Sequence, residues 1–444
     1  MGEGLRVSSY NRIQKMAHMK SPLLALLLSI STSLHASPMD TIAERYVKLV
    51  LAVGQYDPDY VDAYYGPEEW RVAAGRGKEP LDSIAVEARS LIARLDAIDP
   101  TGLTDEMLKL RRDYLKGQLS ALVARVEMLG GKKFSFDEES RLLYDAVAPT
   151  YDAEHFKAIL KEIDALLPGE GTIRERYENF RKRFIIPAAK LDTVFRTAIE
   201  ECRRRTRGHI ALPQGESFTV EYVTNKPWGG YNWYKGNSRS IIQVNTDLPS
   251  YIDRAIDLAA HEGYPGHHVY NALLEEQMVK KRGWIEFTVY PLFSPQSLIA
   301  EGSANYGVHV VMTDEERLKF ERTVLFPLAG LDPTLTETYE KVMDLIGKLS
   351  YAGNEAARGY LDGIMTRDQA ALFLEEYELM TPERAQKRLD FIQQYRSYVI
   401  NYNLGQDMVK QYVELRAHTP QQQWEEFGRL LSSPRLPSGL AETK

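Results

Sequence analysis

The segment 261–268, HEGYPGHH, constrains this chain more than any other stretch. It holds three of the chain's nine histidines, and Glu262 directly follows the first of them. Apolar residues at positions 252, 255, 256 and 259 recur at helical spacing, so His261 and Glu262 should lie near the end of an amphipathic helix. A helix that carries His-Glu and then another histidine is typical of zinc hydrolases, in which two imidazoles bind the ion and the glutamate is the base.

The histidine spacing in this segment departs from the usual pattern, in which the two ligands are four residues apart. Four residues after His261 the chain has Pro265. On a regular helix His267 would point about 120° away from His261 and lie roughly 9 Å along the axis, and His268 would lie roughly 10.5 Å along it. Neither could share an ion with His261, because zinc–nitrogen bonds are only about 2.0–2.1 Å long.

Pro265 and Gly266 supply a reason for the helix to be irregular. Proline lacks an N–H and clashes with the carbonyl four residues back, and glycine tolerates backbone angles that other residues avoid. We therefore predict a kink or bulge at 265–266 that brings His267, rather than His268, to His261. His268 would then lie behind the ligands or face the substrate. The alternative is a helix that ends at Pro265, with the histidines as a polar cap.

Glu301 is the candidate third ligand, on a helix predicted over 296–309. Its neighbours Ala300 and Gly302 are small, which would let this helix approach the first closely. A site with two histidines and one glutamate leaves an open position for water at zinc. The alternative is a surface glutamate. His309, two turns on, is expected to be packed or to lie behind the ligands, and Tyr306 is a candidate substrate contact.

The helical pattern is interrupted once, just before the metal motif. Short strands are predicted at 217–221 and 241–245, joined through a turn-rich aromatic segment. The prediction is a β-hairpin over 217–245 beside the metal helix, with an exposed edge that could bind an extended peptide. Tyr231, Tyr234 and Asn245 are candidate substrate contacts. The alternative is an ordinary hairpin with packed aromatic rings.

Helices are predicted for most of the remaining chain, including long ones over 173–205 and 386–413. Arg396 and Tyr402 in the second of these are candidates for stabilising an oxyanion. The expected fold class is mainly α, with two lobes around a cleft. A helical region over 37–205 would precede the metal-site region, 206–444. The net charge of -7 argues against nucleic acid as a partner.

The first 36 residues have the pattern of a secretory signal peptide. Lys15 and Lys20 precede an apolar run at 22–30, and small residues lead to Ala36. This run is far shorter than the roughly 20 residues that span a bilayer, so no stable membrane insertion is expected after cleavage. The alternatives are a membrane anchor or a buried helix, and translation starting at Met16 or Met19 would keep the signal.

The single cysteine, Cys202, allows no internal disulfide, and no cysteine follows the apolar run to accept a lipid. A long exported chain without disulfides suits a bacterial periplasm, or a chain that is stabilised by its core alone. The predicted location is therefore secreted or periplasmic.

The motif 261–268, followed by Glu301-Gly302 and Tyr306, resembles the bacterial domain-of-unknown-function 885 family. The likeness extends to 167–171, 231–245, 365–370 and 396–405. That family is largely helical and zincin-like, and its members resemble metallopeptidases of the gluzincin type.

The resemblance implies one Zn²⁺ ion held by His261, His267 and Glu301, with Glu262 as the base. Ser303 stands where the family often has tryptophan, and Val308 where an acidic residue is common. The residues and the resemblance favour a secreted or periplasmic zinc-dependent metallopeptidase that acts on a peptide or a small amide. The alternatives are a zinc amidase or esterase for a non-peptide substrate, and a non-catalytic binding protein with a degenerate site.

Overall fold

Helix caps that can be read from the sequence mark many of the helix starts. In the computed structural model, which describes residues 37–226, 228–247 and 249–441, Ser37, Ser135, Thr172, Thr313 and Thr366 each form a capping box. In this arrangement the cap side chain and the third helical residue satisfy each other's free backbone N–H groups. The predicted signal peptide, 1–36, lies outside the described residues.

Helices make up most of the described chain, so the predicted mainly α class is confirmed. The helices are α1 Pro38–Val53, α2 Glu68–Gly75, α3 Leu81–Asp96, α4 Glu106–Leu129, α5 Phe136–Tyr144, α6 Ala153–Leu166, α7 Ile173–Arg181, α8 Leu191–His209, α9 Asp253–Leu258, α10 His267–Leu274, α11 Pro295–Val311, α12 Asp314–Phe320, α13 Phe326–Ala329, α14 Thr336–Lys348, α15 Tyr351–Leu361, α16 Arg367–Tyr377, α17 Pro382–Tyr395, α18 Ile400–Glu414 and α19 Pro420–Leu431. The strands are β1 Val61–Tyr64, β2 Ser217–Val223, β3 Gly230–Tyr234, β4 Arg239–Asn245 and β5 Val289–Pro291.

The predicted hairpin over 217–245 is a three-stranded sheet with the order β2-β4-β3. β2 pairs with β4 in parallel, with Thr219 opposite Ile241, so these two strands do not form a hairpin. The hairpin is β3–β4, which is antiparallel with Asn232 opposite Ile242. β3 was missed because its start lies in the segment interpreted as a turn. Its polar and aromatic residues give no simple apolar alternation.

A second, two-stranded sheet connects the N-terminal region to the metal-site region. β1 pairs with β5 in an antiparallel manner, with Ala63 opposite Tyr290. No strand is predicted here from the sequence, because four residues carry too little pattern to identify a strand whose partner is distant. β5 directly precedes α11 along the chain, so this pairing brings Asp62 near α11, although the two are far apart in sequence.

Two predicted long helices are each divided. The helix expected over 173–205 ends at Arg181, and α8 begins at Leu191 after Pro187, whose ring is incompatible with a helix interior. The helix expected over 386–413 ends at Tyr395, because Arg396 adopts a left-handed φ of 53° before α18 begins. This second break turns the start of α18 toward α11.

The predicted boundary near residue 205 does not separate two units in the described residues. Ser37–Lys444 forms one unit, and α8 spans the boundary while packing against α9. The larger of two apolar clusters runs through it from Met39 in α1 to Leu440, and a smaller one includes Phe156 of α6. Within the described residues, no helix combines the length and apolar character needed to cross a bilayer.

Candidate metal centre

The helix that carries His261 is interrupted where the sequence predicts it. α9 passes into a π-helical turn over Ala259–Gly263, and the chain leaves helical geometry at Tyr264. The Tyr264 N–H donates to the Ala259 carbonyl at 2.8 Å, and the Tyr264–Pro265 peptide bond is cis. A new helix, α10, begins at His267. The chain therefore doubles back between His261 and His267.

Gly266 permits this return because its backbone lies directly against the end of the preceding helix. Its N–H donates to the Ala260 carbonyl at 2.8 Å. A Cβ atom at this position would lie 1.9 Å from the His261 carbonyl oxygen, an impossible contact. Only glycine fits between the two histidines.

His261, His267 and Glu301 converge on one point. The Nε2 atoms of the two histidines are 3.1 Å apart. Glu301 Oε2 lies 3.4 Å from His261 Nε2 and 3.7 Å from His267 Nε2. Ligands at zinc–donor distances of about 2.0–2.1 Å in a tetrahedron are about 3.4 Å from one another. The three atoms therefore form a triangle of the size that a tetrahedral zinc ion requires.

Glu301 is brought to the two histidines by the close packing of α11 on α18. A Cβ on Gly302 would lie 2.3 Å from the carbonyl carbon and oxygen of Gly405, so the two helices nearly touch at their backbones. On α11, Glu301 is only 7% exposed. The Tyr398 hydroxyl donates to Glu301 Oε1 at 2.7 Å, which leaves Oε2 to face the histidines.

Asn305, one turn after Glu301, fixes the orientation of the His261 ring. Its side-chain NH₂ donates to the Tyr402 carbonyl at 2.8 Å, so its oxygen must face His261. That oxygen lies 2.8 Å from His261 Nδ1 and can only accept a hydrogen bond. His261 therefore carries its proton on Nδ1 and directs the Nε2 lone pair toward Glu301. Metal-binding histidines are commonly held in this way.

The electrostatics of the cluster fit a cation. Glu262 and Glu301 are both buried, and the Oε2 atom of each lacks a hydrogen-bond partner. Burial lowers the pKa of His267, but the attraction of the adjacent Glu301 carboxylate outweighs this and raises the pKa to about 9. Burial raises the pKa of Glu301, but the two adjacent histidines lower it overall. Without a metal the cluster thus retains a proton, which a divalent cation would displace.

A cavity of about 550 Å³ opens beside the cluster, a size suited to a small ligand or a few residues of peptide. His261, Glu262, His267 and Glu301 line it. Asp62 of β1 lines it too, and burial raises the pKa of this carboxyl to about 6, although a hydrogen bond from Tyr231 opposes the rise. Carboxyl and imidazole groups, which can exchange protons, therefore line the cavity around the cluster.

Two further predicted residues lie in this cavity. Tyr231 of β3 lines it and donates its hydroxyl hydrogen bond to Asp62. Tyr402 of α18 lines it as well. Burial and the negative charge of Glu301 raise the pKa of Tyr402 well above its ordinary value, so its hydroxyl remains a hydrogen-bond donor. His309 also lines the cavity. Among the described residues, however, the group whose ligand atoms lie close enough together to hold a metal ion consists of His261, His267 and Glu301.

His268 does not face the substrate side. It is fully buried on the other side of α10, where Nδ1 lies 2.8 Å from the Ser240 hydroxyl and Nε2 lies 3.2 Å from Glu216. Adjacent helical residues point about 100° apart, so His267 and His268 cannot both face the cavity. His268 instead links α10 to the three-stranded sheet.

Tyr234 and Asn245 also lie away from the cavity. The Tyr234 hydroxyl donates to the buried carboxylate of Glu275. The Asn245 side chain donates to the carbonyls of Lys226 and Trp228, both at 3.0 Å, and so holds the loop before β3. Their polar groups are used within the fold, and neither residue lines the cavity.

Tyr306 and Arg396 are likewise outside the cavity. Tyr306 is 3% exposed and packs edge-on against Phe427 of α19. Arg396 forms an ion pair with the buried Glu139 at 2.6 Å. Its guanidinium therefore secures the joint between α17 and α18, and it does not reach the position expected for an oxyanion donor.

Asp62, Asn305 and the contact of Tyr398 with Glu301 were not predicted for the site. Asp62 and Tyr398 lie far from the motif in sequence and carry no spacing signal. Asn305 could have been found, because it follows Glu301 by one helical turn and so shares its face. Polar residues at that spacing from a candidate ligand are worth testing as ring-orienting groups.

Comparisons with known proteins establish similarity of fold only. No family model and no curated protein matches the chain. A solved structure described as a "putative lipoprotein from Colwellia psychrerythraea" aligns with a TM-score of 0.52 and 15% identity, over 90% of this chain and 74% of that one. A "putative lipoprotein of unknown function from Shewanella oneidensis" aligns with a TM-score of 0.45 and 14% identity, over 84% and 75%. The resemblance to the domain-of-unknown-function 885 family stays a prediction.

Proposed function

We propose that this chain is a zinc-dependent hydrolase that cleaves peptide bonds. The observation that carries the proposal is the convergence of two imidazole nitrogens and one carboxylate oxygen, 3.1–3.7 Å apart, beside a second buried carboxylate. Two histidines and a glutamate are a zinc-hydrolase ligand set that leaves a position open. When bound, zinc would supply polarisation of the substrate carbonyl and acidification of a water.

Glu262 is the proposed general base. It directly follows the first histidine ligand, lines the cavity, and is 5% exposed with Oε2 unpartnered. Such a carboxylate can accept a proton from the attacking water and deliver it to the leaving amine. The Asn232 side chain donates to the Glu262 backbone carbonyl at 2.7 Å, which holds the turn against β3. Tyr402 is the proposed donor to the oxyanion, because its hydroxyl stays protonated at the cavity wall.

An extended peptide is the proposed substrate form. β3 is an edge strand of its sheet, and Gly230, Tyr231 and Asn232 of this strand line the cavity. An unpaired strand edge can bind a peptide through backbone hydrogen bonds, and pockets beside it can accept side chains. The aromatic rings of Tyr395 and Phe391 across the cavity would provide apolar surface for such side chains.

The proposed location is the cell envelope, with secretion to the periplasm as the finer proposal. Its support is the predicted signal peptide and a fold similar to that of a protein described as a putative lipoprotein.

The test combines metal analysis with activity. Purified parent protein and Glu262→Gln are both expected to contain about one zinc per chain, and only the parent should cleave peptides from a mixed library. The control is Glu276→Gln, the same chemical change at a partly exposed glutamate outside the cavity lining, which should leave both readouts unchanged. A parent protein that binds no zinc would refute the proposal. Cleavage only of non-peptide amides or esters would assign a different hydrolase.

A further inference from the structure

Three arginines line the cavity, and two of them are neutralised by the protein itself. Arg254 lies 3.9 Å from Asp257. Arg317 lies 3.4 Å from Asp257 and 3.1 Å from Glu321. Their charges are therefore committed to structural ion pairs.

Arg388 of α17 differs from the other two. No carboxylate oxygen among the described residues lies within 4.0 Å of its nitrogens, and its Nε is buried without a hydrogen-bond partner. The guanidinium carbon lies 5.2 Å from the centre of the Phe391 ring, which supports it from one side. Phe391 in turn lies 6.4 Å from the ring of Tyr402. A positive charge thus lines the cavity near the proposed oxyanion donor.

The nearby acid, Glu378, offers Arg388 little compensation. Both side chains approach Gly353, where an added Cβ would lie 2.5 Å from Glu378 Oε1 and 3.5 Å from Arg388 Nη2. Burial raises the pKa of Glu378 to about 7, although the charge of Arg388 opposes the rise. Near neutral pH this carboxyl therefore carries only part of a negative charge. A partly buried guanidinium whose Nε lacks a partner is unfavourable unless a ligand provides an anion.

We infer that Arg388 binds a free carboxylate of the substrate, so that the cavity selects peptides bearing that group near the cleaved bond. This inference rests on the proposed function and deepens it. A guanidinium presents two parallel N–H groups that match a carboxylate, and such charged hydrogen bonds are the strong ones in a partly apolar cavity. The carboxylate is either the C-terminus of the peptide or an aspartate or glutamate side chain.

The test compares three peptides in the unaltered protein: acetyl-Ala-Ala-Phe as free acid, its C-terminal amide, and acetyl-Ala-Asp-Phe amide. Either the first or the third should have a KM lower than that of the second by about tenfold or more. A lower KM for the free acid assigns the C-terminal carboxylate. A lower KM for acetyl-Ala-Asp-Phe amide assigns an acidic side chain. Equal KM values for all three peptides would overturn the inference.

Variants then assign the effect to Arg388. Arg388→Met should remove the preference by raising KM for the carboxylate peptide, while cleavage of the uncharged amide continues. Arg384→Met is the matched control, because Arg384 lies one turn earlier on α17, is 41% exposed and does not line the cavity. It should retain the preference. A preference that persists in folded Arg388→Met would overturn the inference.

Binding measurements distinguish a failure of this inference from a failure of the proposed function. Calorimetric titration of Glu262→Gln with the acid and the amide measures carboxylate recognition without turnover. If the parent cleaves none of the peptides but a carboxylate peptide binds about tenfold tighter than the amide, and Arg388→Met removes the difference, the inference survives and the proposed function fails. Cleavage of the peptides without any carboxylate preference would support the proposed function and overturn the inference.

Discussion

His267 and His268 are neighbours in sequence but occupy different environments. His267 directs Nε2 to His261 and Glu301 in the cavity. His268 is buried between Ser240 and Glu216 on the opposite side of the helix. The difference follows from the start of α10 at His267, because each further residue in a helix rotates by about 100°.

Replacing these two histidines should separate metal binding from stability. His267→Ala removes one proposed ligand and should abolish stoichiometric zinc binding in elemental analysis. His268→Ala should retain zinc but lower the free energy of unfolding by about 1–3 kcal/mol, because Glu216 and Ser240 lose a buried partner. Denaturant unfolding measures the second effect. Loss of zinc in His268→Ala and its retention in His267→Ala would reverse the assignment.

Asn305 should control metal affinity without contacting the metal. Asn305→Ala releases His261 Nδ1, so the ring can rotate or change tautomer. The expected result is a zinc affinity lower by about 10–100-fold, measured by competition with a chelator. Asn305→Asp keeps an acceptor at Nδ1 and should retain most of the affinity. Equal affinity of the alanine variant and the parent would contradict this role.

At the scale of elements, the joint between α17 and α18 sets the direction of the tyrosines beside the site. Arg396 has a φ of 53°, which is unfavourable for a residue with a side chain. Glu139 holds Arg396 by an ion pair at 2.6 Å. It also accepts hydrogen bonds from the Ser397 N–H and hydroxyl at 3.1 and 2.6 Å. Arg396 is thus a positioning residue for the joint.

The contact between α11 and α18 should tolerate no side chain at Gly302. Gly302→Ala places a methyl group 2.3 Å from the Gly405 backbone, so the helices must separate. We expect a loss of about 1–3 kcal/mol in unfolding free energy and weaker zinc binding, because Glu301 moves with α11 and Tyr398 with the segment before α18.

The control is Gly347→Ala in α14, where an added methyl meets no atom within 4 Å. This change should stabilise the protein by about 0.5–1 kcal/mol, because alanine loses less backbone entropy in a helix. Thermal unfolding of both variants measures the contrast. A Gly302→Ala protein as stable as the parent would contradict the close contact.

At the scale of the whole molecule, the site joins segments that are distant in the chain. β1 contributes Asp62, the interrupted helix contributes His261 and His267, and α11 and α18 contribute Glu301 and Tyr402. Behind the cavity, Glu216 connects three parts by accepting from Tyr264 at 2.6 Å and from Arg203 at 2.7 Å, beside His268.

Glu216 should make the stability of the whole chain depend on acid. Burial raises its pKa, but hydrogen bonds from His268, Tyr264 and Arg203 outweigh this and lower the pKa from 4.5 to about 2. A lowered carboxyl pKa contributes stability above pH 4.5, and the contribution is lost as pH falls toward 2. Glu216→Gln should therefore lower the unfolding free energy by about 2–3 kcal/mol at pH 7, and this deficit should shrink below pH 4. A deficit that is constant with pH would show that lost packing, not charge, is the cause.

The sequence alone determined the features that depend on local backbone chemistry. Pro265 and Gly266 forced the helix to break because of their own geometry, and the mainly α class followed from helical periodicity and capping residues. Only the tertiary structure decided which side chains meet. It brought Asp62 and Tyr398 to the site, turned His268 away and paired Arg396 with Glu139. Such pairs depend on how distant segments pack, and local spacing carries no information about that packing.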